Sequence, residues 1–346
     1  MSVKFFLVMI LIVILNLVSG VRPIFSSSVV KTEPYIQIRP DGSVVMFLHG
    51  NATFIQCNGS TYTFTANIYS SEHQLAIVVE KDNIILDGAG YTLQGTGVYR
   101  SIGIDLTGRS SVTIKNMKIE GFGYGIYLEN SSNNTINENS ISNNTDNTYE
   151  MQSGIAFFGS SNNTISRNNI TANDKTGIYL VNSSNNTISG NNITDNSWMG
   201  FYLRSSSSNV IHGNCITDHG EGISLYGSSG NMIYHNDFIN NTEQVAIWLG
   251  PLSGNLWVDG VEGNYWSDYK EEYPNATEID NSGIWDTPYV ITVYPFSDNI
   301  DRYPRVIPEF PSFLILPLFM ISTLLAIIIH RRRISKQVSA ETCTTK

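Results

Sequence analysis

A register of the form glycine–apolar–x–apolar, followed by a Ser/Asn turn and a second apolar residue, recurs down this chain. It begins at Gly103, Gly125, Gly154, Gly177, Gly200 and Gly222, and steps mostly by 22 or 23 residues. GIYLENSSNNTI from Gly125 and GIYLVNSSNNTI from Gly177 are near copies, and a decayed copy, AIWLGPLSGNLW, starts at Ala246. The long step from Gly125 to Gly154 carries an extra stretch, Thr145–Gln152, which reads as a loop bulging from one turn. A repeat this short cannot hold a helix pair, but it suits one coil of a solenoid built from short strands and tight turns.

The apolar positions divide each coil into three segments. In the first, Ile126 and Leu128, Ile178 and Leu180, and Ile223 and Leu225 alternate with Tyr127, Tyr179 and Ser224, so the former point in and the latter out. A second inward isoleucine follows the turn (Ile136, Ile165, Ile188, Ile211, Ile233). A third apolar residue comes five positions later (Ile141, Ile170, Ile193, Ile216, Phe238). Three segments per coil predict three parallel sheets along the solenoid. The glycine opening each coil is expected to supply a turn conformation that other residues resist.

An asparagine recurs between the last two apolar positions, at Asn139, Asn168, Asn191, Asn214 and Asn236. Stacked at the strand spacing of about 4.8 Å, these amides are expected to form a hydrogen-bonded ladder, since a buried amide is costly without a partner. The second asparagine of the SSNN turn, such as Asn186, reads as part of a solvated turn.

Three stretches resemble the NosD-type right-handed parallel β-helix proteins, in particular their archaeal cell-surface branch. They are VVEKDNIILDGAGYTLQGTG (Val78–Gly97), the SSNNTISxNNIT coils, and GNYWSDY with WDTPYVI (Gly263–Tyr269, Trp285–Ile291). The resemblance implies a right-handed parallel β-helix, so the fold expected is all-β, a three-sheet solenoid, with a single C-terminal transmembrane helix read from the apolar run described below. The family name reflects one member's part in maturing a copper enzyme, and activity does not travel with fold.

The organisation expected is a signal peptide at 1–25, an N-terminal extension and cap at 26–82, and β-helix repeats at 83–258. A C-terminal cap at 259–307, a membrane segment at 308–333 and a cytoplasmic tail at 334–346 follow. Lys4 and the apolar run Phe5–Val18 make the signal. Phe313–Ile329 followed by His330 and Arg331–Arg333 reads as a single span stopped by a cytoplasmic cluster, leaving the repeats outside the cell. The flank Pro308-Glu309-Phe310 also resembles the PEF-type sorting signals of archaeal surface proteins, in which the span is removed and the protein reattached to lipid. The tail after the arginines departs from that pattern, and a retained anchor is favoured.

Charged residues make up only 14% of the chain and the net charge is −10, with no basic stripe outside Arg331–Arg333; nucleic acid is thereby excluded as a partner. The sequons Asn51, Asn58, Asn130, Asn133, Asn143, Asn162, Asn169, Asn182, Asn185, Asn192, Asn240 and Asn275 are both turn chemistry and N-glycosylation candidates. Cys57, Cys215 and Cys343 form an odd set with no sign of pairing.

Two outward columns carry chemistry beyond Ser and Asn. Tyr127, Phe158, Tyr179, Tyr202, Tyr226 and Trp248 line the first sheet and suit stacking of sugar rings or docking of an envelope protein. None faces the core, so their replacement is expected to leave the fold intact. Asp195 and Asp218 hold equivalent places in consecutive coils, followed by His219 and Glu221, and two carboxylates about 5 Å apart would suit a glycoside hydrolase or polysaccharide lyase. Turn chemistry explains the same aspartates. Copper binding by His212, His219 and His235 is weaker still, for want of ligand spacing. Asp280, Ser282 and Asp286 are a thinned calcium-loop pattern, which reads better as a plain capping turn; no cofactor is otherwise expected. The function expected is a membrane-anchored, non-catalytic module of the cell envelope that binds carbohydrate or a protein partner. The carbohydrate-active enzyme is the alternative, and a copper-related accessory role is a weaker one.

Overall fold

The computed structural model describes residues 36–46, 50–51, 54–70, 74–145, 152–248, 254–291 and 299–306. The expected signal peptide, membrane segment and cytoplasmic tail lie outside these residues. Among the described residues no helix is long and apolar enough to cross a membrane.

The chain winds into a parallel β-helix with three long sheets of 11, 9 and 9 strands, and within the coils each strand pairs with its counterpart one coil away. One coil runs through Thr176–Val181, Thr187–Ser189 and Asn192–Thr194, and the next through Met199–Arg204, Val210–His212 and Cys215–Thr217. The expected inward columns are in register. Ile165, Ile188, Ile211 and Ile233 stack in the second sheet, and Ile170, Ile193, Ile216 and Phe238 in the third, all fully buried. Each such side chain contributes about 1.5–3 kcal/mol of burial.

The parallel pairing starts before position 83, where the repeats were expected to begin. Ile36–Ile38, Thr61–Phe64 and Ile68–Tyr69 already pair in parallel with the following coil. The antiparallel strands Val44–Met46 and Ile55–Asn58 then cover that end. At the other end Tyr265–Trp266 adds a last parallel strand to the third sheet. Trp266 stacks between Phe238 (4.5 Å) and Tyr289 (4.4 Å), so an aromatic plug closes the core. Cys57 and Cys215 are free thiols.

The corners of the coil follow one rule. Four residues per coil adopt left-handed φ, for example Asn182 (49°), Asn185 (58°), Gly190 (63°) and Asp195 (52°). Each is exposed, and the residue after each is buried: Ser183, Asn186, Asn191 and Asn196. A left-handed residue turns the chain sharply, so the following side chain is thrown inward regardless of strand alternation. Asn, Asp and Gly recur at these corners because they tolerate that conformation best.

The inward residues form ladders, and there are more of them than expected. The predicted column is present, with each Nδ2 donating to the next Oδ1: Asn139–Asn168 3.0 Å, Asn168–Asn191 3.0 Å, Asn191–Asn214 2.9 Å and Asn214–Asn236 2.9 Å. It continues to Asn264, whose backbone N–H donates to Asp301. A second amide ladder runs through Asn134, Asn163, Asn186, Asn209, Asn231 and Asn255. Asn186 is therefore not a solvated turn residue; it is fully buried. A third holds Asn144, Asn173 and Asn196. Serines make a fourth column, in which the Ser160 backbone N–H donates to Ser183 Oγ at 3.0 Å, and so on along the coil.

The opening glycines have a different purpose from the one expected. Their φ is not left-handed; they sit where coils approach most closely. A Cβ on Gly177 would stand 2.7 Å from the carbonyl oxygen of Gly200 and 2.8 Å from Ile193 Cγ2, and Gly154, Gly200 and Gly222 face the same obstruction.

Candidate functional site

The outer face of the first sheet carries the aromatic column, and register fixes its layout. Tyr127, Ala156, Tyr179, Tyr202, Ser224 and Ala246 occupy one column. Glu129, Phe158, Val181, Arg204, Tyr226 and Trp248 occupy the next. Ala156 leaves a gap in the first column, and Phe158 leans across from the second to fill it. Its ring lies 5.3 Å from Tyr127 and 5.6 Å, edge on, from Tyr179. Tyr179 and Tyr202 then stack in parallel at 5.3 Å, and Tyr124 joins the row at 5.6 Å from Tyr127.

The row is thus partly self-packed. Tyr179 is only 7% exposed, and burial pushes the phenols of Tyr127, Tyr179 and Tyr202 up, that of Tyr202 to about 12. Replacing Tyr179 would open a gap between two rings, so the expectation that the whole column is dispensable for folding fails for that residue. Tyr226 and Trp248 stand apart from the stack. Arg204 lies over the Tyr226 ring at 5.5 Å, and Trp248 is 39% exposed.

Asp195 and Asp218 are exposed corner residues with φ of 52° and 62°, in a column shared with Asn143, Ala172 and Asn240. Backbone conformation accounts for their identity. His219, grouped with them in the sequence, points the other way, into the coil interior, and is 3% exposed. It takes the place of an asparagine in the third ladder. Its Nδ1 accepts from the Asn196 backbone N–H (3.2 Å), its Nε2 lies 3.0 Å from the Ile193 carbonyl oxygen, and its own N–H donates to Asn241. Nδ1 also lies 3.1 Å from the Asn196 carbonyl oxygen. Burial lowers its pKa, against the pull of its backbone bonds and of Asp218 and Asp195.

Glu221 lies on the sheet face instead. It registers with Glu243 one coil on, and both carboxyls are held above the usual range by burial, with Glu221 raising Glu243 further. The sequence reading missed Glu243; its signal was the register Glu221–Glu243, 22 residues apart.

The histidines do not assemble a copper site. His212 stacks on Tyr234 at 5.3 Å, and Tyr234 meets His235 edge on, so two of the three share a face while His219 has both ring nitrogens engaged inside. His235 Nε2 is 3.3 Å from Asp259. Among the described residues no group of three or more His, Cys, Asp or Glu is placed to hold a metal ion. Of the calcium-loop residues, Asp286 accepts from the Thr277 backbone and hydroxyl and from Thr287, which hold its carboxyl below the usual range; Ser282 Oγ accepts from the Ile284 N–H, and Asp280 is an exposed corner. The segment works as a loop staple. Every sequon asparagine whose side chain is described is exposed; the side chain of Asn51 lies outside the described residues.

Among solved structures, the A-module of the Azotobacter vinelandii mannuronan C-5 epimerase AlgE4 aligns at 14% identity and TM-score 0.47, over 58% of this chain and 59% of that one. DFA-IIIase from Arthrobacter chlorophenolicus A6 aligns at 17% identity and TM-score 0.41, over 66% and 62%. The enzymatically active domain of bacteriophage CBA120 tailspike protein 2 aligns at 13% and 0.39, over 60% and 41%. The chain spans less than two thirds of each of these structures. A search of curated proteins returned no match. The family model described as periplasmic copper-binding protein (NosD) matches over residues 37–198 and again over 95–271. These overlapping matches take in most of the described coils, and the chain belongs to the NosD family of parallel β-helix proteins.

Proposed function

We propose that this chain is a non-catalytic module displayed outside the cytoplasm, which binds an extended glycan of the cell envelope along the outer face of its first sheet. The observation that carries the reading is the row of aromatic side chains from Tyr124 to Trp248. The coil repeat, about 4.8 Å, resembles the length of one sugar residue, so the exposed parts of the row, Tyr226 and Trp248 above all, can meet successive sugars. Aromatic faces are favourable partners for the C–H faces of a pyranose. The family description, a periplasmic protein, supports action outside the cytoplasm, as do the exposed sequons, which we assign as N-glycosylation sites. Segment 308–333 then serves as the membrane anchor.

The test is binding of the purified full-length protein to isolated envelope, compared with a Tyr226→Ser/Trp248→Ser variant. These two side chains stand outside the packed ring stack, so the melting temperature should stay within a few degrees. Binding should fall about tenfold, the loss expected of two aromatic anchors. Unchanged binding in the folded variant reduces the row to a packed sheet surface. Binding that survives periodate oxidation of the envelope but not protease treatment assigns the face to a protein partner instead.

A further inference from the structure

The outer face of the first sheet changes character at its C-terminal end. Its central column is aromatic through Tyr179 and Tyr202, then falls to Ser224 and Ala246. One coil on, the Trp248 indole lies near the Glu221 carboxylate. Ser224 and Ala246 are buried, at 1% each, while the Trp248 side chain is 39% exposed. On the opposite flank Trp198 is 42% exposed, and its ring edge lies against Gly220, where a Cβ would stand 3.7 Å from Trp198 Cδ1. Two exposed indoles thus flank Glu221 and Glu243, which lie side by side in register.

Neither glutamate forms an ion pair among the described residues, and Arg204, one coil before Glu221, is drawn away over Tyr226. Burial raises the pKa of both carboxyls, and the charge of Glu221 raises that of Glu243 further. A cation between them supplies the missing counter-charge. An exposed indole face attracts the same kind of ligand, because the ring quadrupole presents negative charge above its plane. An anionic sugar would meet two carboxylates and no compensating base.

We infer that Trp198, Glu221, Glu243 and Trp248 form a subsite for an amino-sugar residue, with its ammonium held between the two carboxylates and its ring against Trp248. This rests on the glycan-binding reading above and names the class of sugar that the same face prefers. Uronic acids and sulfated sugars are rejected at this end of the row.

The experiment is calorimetric titration of the full-length protein, at mildly acidic pH and low salt, with three oligosaccharides of equal length. They are a glucosamine oligomer, its N-acetylated counterpart and a uronate oligomer. The glucosamine oligomer should bind about tenfold more tightly than the N-acetylated one, as expected of one partly screened ion pair plus a cation–π contact, and the uronate should not bind. Glu221→Gln/Glu243→Gln should remove that preference. Equal affinity for the first two oligomers, or a preference that survives in the double glutamine variant, overturns the subsite and leaves the glycan reading standing. If none of the three binds, the subsite falls, and the periodate arm of the envelope experiment decides the glycan reading on its own.

Discussion

The amide ladders make a quantitative demand at Asn191. Its Oδ1 accepts from both the backbone N–H (2.9 Å) and the Nδ2 (3.0 Å) of Asn168, and its Nδ2 donates to Asn214 Oδ1 (2.9 Å) and the Ile165 carbonyl (3.1 Å). Leucine is close in size, so Asn191→Leu leaves little cavity, but it strips the acceptor from two buried donors of Asn168. Each orphaned buried group costs about 1–3 kcal/mol, so the substitution should destabilise by about 2–6 kcal/mol. In a domain of more than 200 residues that corresponds to a fall in Tm of about 5–20 °C. Asn186→Ala should behave alike, since Asn186 Oδ1 accepts the same pair of donors from Asn163 at 2.9 and 3.1 Å. The control is Asn185→Gly at the exposed corner, φ 58°, which glycine accepts freely and which should move Tm little. All three are compared by thermal melts of protein made without glycosylation. If Asn191→Leu and Asn186→Ala melt within 2 °C of Asn185→Gly, the ladders contribute nothing and the reasoning is refuted.

Two further outcomes follow from the same packing. His219 has a pKa lowered by burial, so its contribution is complete above its ordinary value of 6.5 and is lost as pH falls through the folded-state value and the buried ring must charge. Asp301, pushed up to about 6 by burial at the end of the first ladder, moves the opposite way, losing stability as pH rises from 3.8 through 6. Only the difference between wild type and His219→Asn isolates the histidine: that difference should grow on acidification, and parallel pH profiles would contradict the assignment. Gly177→Ala should destabilise by about 1–3 kcal/mol through contact with the Gly200 carbonyl, measured by denaturant midpoint; a neutral result would show that neighbouring coils slide apart freely.

The coil length, the three inward apolar columns and the first ladder were legible in the sequence, because each is a one-dimensional period. An isoleucine at positions 165, 188, 211 and 233 has one place to go in a stacked coil, and the amides at 168, 191, 214 and 236 share that spacing. The aromatic row and the corner aspartates were legible for the same reason. What stacking alone decided is the direction of side chains at the corners. Strand alternation gives no direction after a left-handed residue, so Asn186 read as solvated when the preceding corner, Asn185, throws it inward.

His219 shows the same limit in a chemical group. Beside Asp218 in sequence it resembled part of an acidic cluster, but the corner at Asp218 separates the two, sending the carboxylate to solvent and the imidazole into the third ladder. Tyr179 looked free on an outer face until its neighbours, Phe158 and Tyr202, closed over it from coils 21 and 23 residues away. The opening glycines were visible as a repeat, while their reason, a carbonyl one coil on, exists only once the coils are stacked. Local sequence therefore set what each coil contains. Contact between coils set which way each polar group points, because a side chain's direction at a corner is fixed by backbone dihedrals and its partner lies a full turn away.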